Sequence, residues 1–194
     1  MLDSDQIAGL FTRDGRYLCA RWGRPVAPVI FGLADETLDI FREVTRAALA
    51  HARHPLAETD PEMGANMMTF LVRDWGELED VPDLEQLTGQ AGLAARLKEQ
   101  GADQYRIFRF DADGGIRACL SFVNMGGALR DAHPAQLAEM LAMRSLLTFA
   151  RDVTPSAEIA ALIRAAYDPV MPVAATDPSH ALRLAARLAS GGDR

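Results

Sequence analysis

The sequence predicts a single α+β domain: a small, mostly antiparallel sheet with about five helices, one of them buried at the centre. Three observations carry this. Residues Gln104 to Asn124 (QYRIFRFDADGGIRACLSFVN) place Ile116, Ala118, Leu120 and Phe122 on alternate positions, with Arg117, Cys119 and Ser121 between them. That period of two marks a strand with one buried face. Tyr105 to Phe110 precedes it, rich in aromatic and β-branched residues, and Asp113-Gly114-Gly115 supplies a turn that tolerates positive φ, which completes a β-hairpin. The other long segments have helical spacing. A length of 194 residues and an apolar share of 49% suit one domain with a real core, spanning 1–189, and 190–194 should fray.

Along the chain, Phe11 to Arg21 reads as a first strand or hairpin arm turning at Asp14-Gly15. Arg24 to Gly32 is kept extended by Pro25 and Pro28, whose missing donors place it at a sheet edge. Asp35 is the expected N-cap of a helix to about His51, with Leu38, Phe41, Thr45, Ala48 and Leu49 as its buried stripe. Leu56 to Ala65 is a loop, and the apolar run Asn66 to Trp75 is the candidate central strand. Asp83 to Gln100 is helical, and Gly89 and Gly92 allow two short helices instead of one.

Three later helices are expected to open at His133-Pro134, Thr154-Pro155 and Asp177-Pro178, because proline at the first helical position loses no bond. The first, from Pro134 to about Arg151, is apolar on most sides and should be the buried central helix. Ile159, Leu162, Ile163 and Ala166 stripe the second, and Leu182, Ala185 and Leu188 mark the third.

Composition narrows the function classes. The net charge is −7, and nineteen Arg and one Lys are scattered rather than clustered, which argues against nucleic-acid binding. No apolar run approaches the ~18 residues of a membrane span. The N-terminus lacks the basic and apolar regions of a signal peptide, so the expected location is the cytoplasm, with no membrane partner. A disulfide between Cys19 and Cys119 is open on sequence alone, but buried free thiols suit that compartment better.

Local catalytic motifs are missing: no GxGxxG, GxxxxGK[ST], GxSxG or HExxH occurs. No cofactor is expected. His51 and His54, three apart, are the metal candidates, with Glu58, Asp60 or Glu62 as further zinc ligands. Against that, a histidine at a helix C-terminus is already favoured by the dipole. His133 reads as an N-cap, and His180 as a surface residue of the last helix. The acidic cluster Glu77, Glu79, Asp80, Asp83 and Glu85 lacks EF-hand spacing and reads as solvated surface. Arg106, Arg109 and Arg117 are the anion-binding candidates. If Phe108 and Phe110 face the core, Arg106 shares their face, and a buried arginine needs a carboxylate or an anionic ligand. Trp22 and Trp75 are either pocket walls or core residues with a polar edge.

The hairpin phrase YRIFRFDADGGIRACLSF, with ALIRAAYDPV (161–170) and TDPSHALRLAAR (176–187), resembles an uncharacterised bacterial family of conserved hypothetical proteins. That resemblance implies no activity. The order of ANxxxFLVRDW, hairpin, central helix and LIRxxYDP is also similar to a secreted zincin-like family. That family's central helix carries a zinc-binding glutamate and histidine. Here Leu137 to Leu147 has Glu139 and no histidine, so the resemblance implies a metal-free relative.

Two function classes follow. One is a non-catalytic binding or interaction module for a partner protein or small ligand, with homodimerisation through Met and aromatic surface as one form. The other is a metal- or anion-dependent enzyme with a dispersed site.

Overall fold

The computed structural model describes residues 1–191 and has one α+β fold. Helix α1 (Ser4–Phe11) leads into a hairpin of β1 (Thr12–Arg13) and β2 (Arg16–Tyr17). Asp14 and Gly15 turn it with φ of 52° and 74°, the two left-handed residues of a type I′ turn. Then come β3 (Cys19–Ala20), β4 (Pro28–Phe31), α2 (Asp35–His51) and β5 (Met67–Val72). A 3₁₀ segment (Trp75–Asp80) and the short helices α3 (Leu84–Thr88) and α4 (Leu93–Glu99) precede the hairpin of β6 (Gln104–Phe110) and β7 (Ile116–Asn124). Helices α5 (Pro134–Leu146) and α6 (Ala157–Ala166), strand β8 (Ala174–Ala175) and α7 (Ser179–Gly191) complete the chain.

The main sheet has the order β4-β5-β7-β6. Pairing is antiparallel between β6 and β7 but parallel for β4 with β5 and β5 with β7. The sheet is therefore mixed, which corrects the mostly antiparallel expectation. For β4 and β5 the cause is α2: a helix between two strands carries the chain back to its starting end, which makes the next strand parallel. Strand β4 does lie at an edge and β5 inside, as their prolines and apolar run imply.

Strand β7 is buried on both faces, not one, because helices cover the sheet on both sides. Phe70, Leu120 and Phe122 pack with Trp75, Leu78 and Leu97 on one side. Leu71 and Val123 meet Phe41, Leu137 and Leu141 of α2 and α5 on the other. A third cluster joins α1, α6 and α7 around Trp22, Leu147 and Leu162. No described helix is long and apolar enough to cross a membrane.

Several boundaries differ from expectation. Helix α1 occupies a stretch to which the sequence assigns no element; Asp3 and Gln6 close a capping box around its first turn. Asp35 is the first residue of α2 and Ala34 its cap, with no side-chain cap bond. Helix α5 is buried as expected but stops at Leu146, because Thr148 Oγ1 donates to the Leu18 carbonyl (2.9 Å) and accepts from the Ala20 amide (2.8 Å). Leu147 is thereby drawn into an extended bridge with Arg21. Ser156, not Thr154, caps α6 through the Ile159 amide. Ser190 and Gly191 belong to α7, and 192–194 of the expected frayed tail lie outside the described residues.

The loop before β5 is tied down by one buried amide. Asn66, with no solvent exposure, accepts from Ala27 N (2.8 Å) and donates to Pro25 O (2.9 Å) and Asp60 Oδ2 (3.0 Å). Asn66→Ala strips partners from a buried carboxylate and a buried amide. The expected loss is about 3 kcal/mol in urea denaturation, with the melting temperature lower by about 6–12 °C.

Candidate functional site

Alternation along β6 decides where its arginines go. Arg106 pairs in register with Ser121 and so lies on the α5 side of the sheet, while Arg109, three residues on, lies on the other. Arg109 donates from Nη2 to the Leu87 carbonyl (2.9 Å), and Arg117 pairs with Glu62 (2.5 Å). The three anion candidates are not brought together. Arg106 instead meets two arginines that sequence reasoning passed over, Arg13 of β1 and Arg144 of α5.

Arg106 and Arg13 line a cavity of about 180 Å³ at the β6 edge, with Ser121, Leu141, Phe149 and Asp152, and Arg144 lies behind its Gln104 wall. Two of the three guanidinium groups are occupied. Arg13 donates from Nε and Nη2 to the Ala150 carbonyl. Arg144, only 6% exposed, donates to Val153 O (2.7 Å) and Gln104 Oε1 (2.9 Å), and lies 3.3 Å from Asp152. The Asp152 side chain is 67% exposed, which puts it at the cavity mouth.

Arg106 is half-buried and has no hydrogen-bond or ion-pair partner among the described residues. Its guanidinium carbon sits 5.6 Å over the Phe108 ring. Burial, reinforced by Arg144 and Arg13, pushes its pKa below the ordinary guanidinium value, while Cys119 and Asp152 act the other way. The group stays charged, since arginine does not deprotonate in proteins.

Acid–base chemistry finds little purchase here. The Cys119 thiol is buried, its pKa raised by that burial, with Ser121 Oγ 3.8 Å from its sulfur. Cys19 is also free and buried, its pKa pushed up to about 12. The cavity offers a cation, a hydroxyl, an acidic group at its mouth and a partly apolar wall, groups suited to holding a small anion.

His51 and His54 turn to different partners. The former donates from Nε2 to Ala160 O (2.8 Å), the latter to Arg24 O (2.7 Å). Among the described residues no group of three or more His, Cys, Asp or Glu side chains is arranged to hold a metal ion. Asp60 is instead absorbed by the Asn66 knot, and Glu62 by Arg117 and Arg24. Glu139 is exposed on α5. His133 caps α5 by accepting from the Ala135 amide (3.3 Å). In the acidic cluster Glu77 pairs with Arg73. Trp22 and Trp75 are core residues with satisfied indoles, donating to Ser145 O and Ala102 O (both 2.8 Å).

A larger groove of about 710 Å³ runs past His51, Arg164, Asp168 and Arg187. Most of its charges are paired internally: Arg164 donates to the His51 carbonyl (2.7 Å) and Arg187 pairs with Asp168, while Arg53 is exposed with no side-chain partner among the described residues. No family model, curated protein or solved structure matches the chain.

His180 corrects the surface expectation. It is 4% exposed, because α7 packs Ala181, Leu184 and Leu188 into the core and draws its first turn inward. Its Nδ1 lies 2.9 Å from the Tyr17 hydroxyl, and its buried Nε2 has no partner. Burial holds the pKa of His180 and of His54 below the ordinary histidine value. The unfolded chain therefore binds more protons below about pH 6.5, so stability is full above that pH and declines as pH falls through it. Urea midpoints should drop between pH 7.5 and 5, above the carboxylate range, and His180→Asn should flatten that slope.

Proposed function

We propose that this protein is a small-anion binding module whose site is the Arg106 cavity at the open edge of the main sheet. One observation carries the reading: Arg106 is a half-buried cation without a partner among the described residues, facing a cavity. A buried charge normally comes with a counter-charge, because desolvation is otherwise uncompensated. Arg144, on the helix that covers this face and more deeply buried, has three oxygens around it. Arg106 has the planar fork suited to a carboxylate or phosphate and no protein group using it.

The test separates a binding arginine from a structural one. Arg106→Met removes the desolvation cost of a half-buried charge that has no hydrogen-bonded partner, while keeping a side chain of similar length. Arg106→Met should therefore leave the melting temperature of the ligand-free protein unchanged, or raise it by a few degrees. In wild type, millimolar acetate, benzoate or phosphate should raise the melting temperature by mass action, and Arg106→Met should abolish that rise. A variant that melts well below wild type without added anion would mark Arg106 as structural and remove the basis of this reading.

A further inference from the structure

We infer that the ligand of the Arg106 cavity is a small monocarboxylate with an apolar tail, of the size of butyrate or benzoate. The inference rests on the anion-binding reading above and narrows it by size, charge, donor geometry and wall chemistry.

Size comes first. The cavity holds about 180 Å³. An apolar cavity of roughly 150 Å³ accommodates benzene, so this one takes about six to nine non-hydrogen atoms. A nucleotide or a peptide would leave most of its atoms outside it.

Charge comes next. Arg106 is the one lining guanidinium without a partner among the described residues, because Arg13 is held by the Ala150 carbonyl. Arg144, behind Gln104, is held by Val153, Gln104 and Asp152. One free guanidinium fork engages one carboxylate, and Arg13, held by a neutral carbonyl, keeps its charge and adds to the positive field. Asp152 at the mouth opposes a second negative charge placed there, which disfavours dicarboxylates and the phosphate dianion.

Donor geometry agrees. A guanidinium presents parallel N–H groups in one plane, matched to the two oxygens of a carboxylate. The Ser121 hydroxyl, from the strand position paired with Arg106, adds one further donor. Phosphate has three equivalent oxygens to satisfy, and this site offers donors from one side.

The rest of the lining is mixed: Gln104, Tyr105 and Asp152 contribute polar groups, and four side chains form an apolar side. Phe108, Leu141 and Phe149 line the cavity beyond the arginine. Phe149 is buried and held rigid by stacking on Phe11, with ring centroids 5.2 Å apart. A hydrocarbon tail laid against these groups leaves water, while the carboxylate stays on Arg106.

Titration calorimetry on the full chain tests this with five probes: butyrate, benzoate, benzamide, succinate and inorganic phosphate. Butyrate or benzoate should bind one per chain. Benzamide, the neutral analogue of benzoate, should bind at least tenfold more weakly, as should succinate and phosphate. Arg106→Met should weaken monocarboxylate binding about ten- to a hundredfold. Arg106→Lys, which keeps the charge and loses the fork, should fall between, and circular dichroism of both variants checks that they fold. Phosphate or succinate binding as tightly as the monocarboxylates, with loss in Arg106→Met, would overturn the monocarboxylate assignment and leave the anion site standing. Absence of binding by all five, or binding indifferent to both substitutions, would overturn the assignment together with the site.

Discussion

Strand β7 sets the terms for the rest of this structure. It is hydrogen-bonded on both sides, parallel to β5 and antiparallel to β6, and its two faces are both covered. A strand enclosed in this way cannot expose an alternate row of side chains to water. Cys119 and Ser121 are accordingly buried despite standing where a one-sided strand would turn polar residues outward. Two helical layers are then obligatory: the 3₁₀ segment with α3 and α4 on one side, α2 and α5 on the other. The parallel β4–β5 pair follows from the same requirement, since α2 must cross a face to cover it.

The constraint weakens one strand outward. Strand β6 is an edge, paired only with β7 in the main sheet, so its α5-facing side chains lie where burial gives way to solvent. Arg106 occupies that boundary. Its neighbour in register is the buried Ser121, and its neighbour along the strand on the same face is Phe108. Enclosure is deep enough there to make a cation costly and open enough for a small solute to arrive.

Much of the scaffold is legible in the sequence wherever a local rule coincides with tertiary demand. Prolines 25 and 28 mark the edge strand, Asp113-Gly114-Gly115 the hairpin, and Gly89 and Gly92 the break between α3 and α4. The capping box of α1 was also written locally, in Asp3 and Gln6, but it lies outside the apolar periodicities that dominate a reading of the chain. Other features depend on distant contacts. Nothing near Leu147 predicts that α5 must end there; Leu18 and Ala20, well over a hundred residues earlier, decide it through Thr148. His180 is drawn inward by the packing of α7, which its sequence neighbours do not reveal.

The candidate site shows the same division. Strand alternation alone puts Arg106 on the face of Phe108, and the cost of burying it raises the question of a partner. Arg109 and Arg117 look equivalent in sequence and are not, because register sends one to Leu87 and the other to Glu62. Arg144 carried a signal that went unread: it is the one charge within the buried run from Leu141 to Leu147. Its three oxygen neighbours show how this fold treats a guanidinium that serves structure. Arg106 lies beside it, under the same helix, with none. Arg144 is buried and satisfied by the fold itself, whereas Arg106, half-buried at the sheet edge, keeps its fork free of protein partners among the described residues, which makes it the candidate for binding.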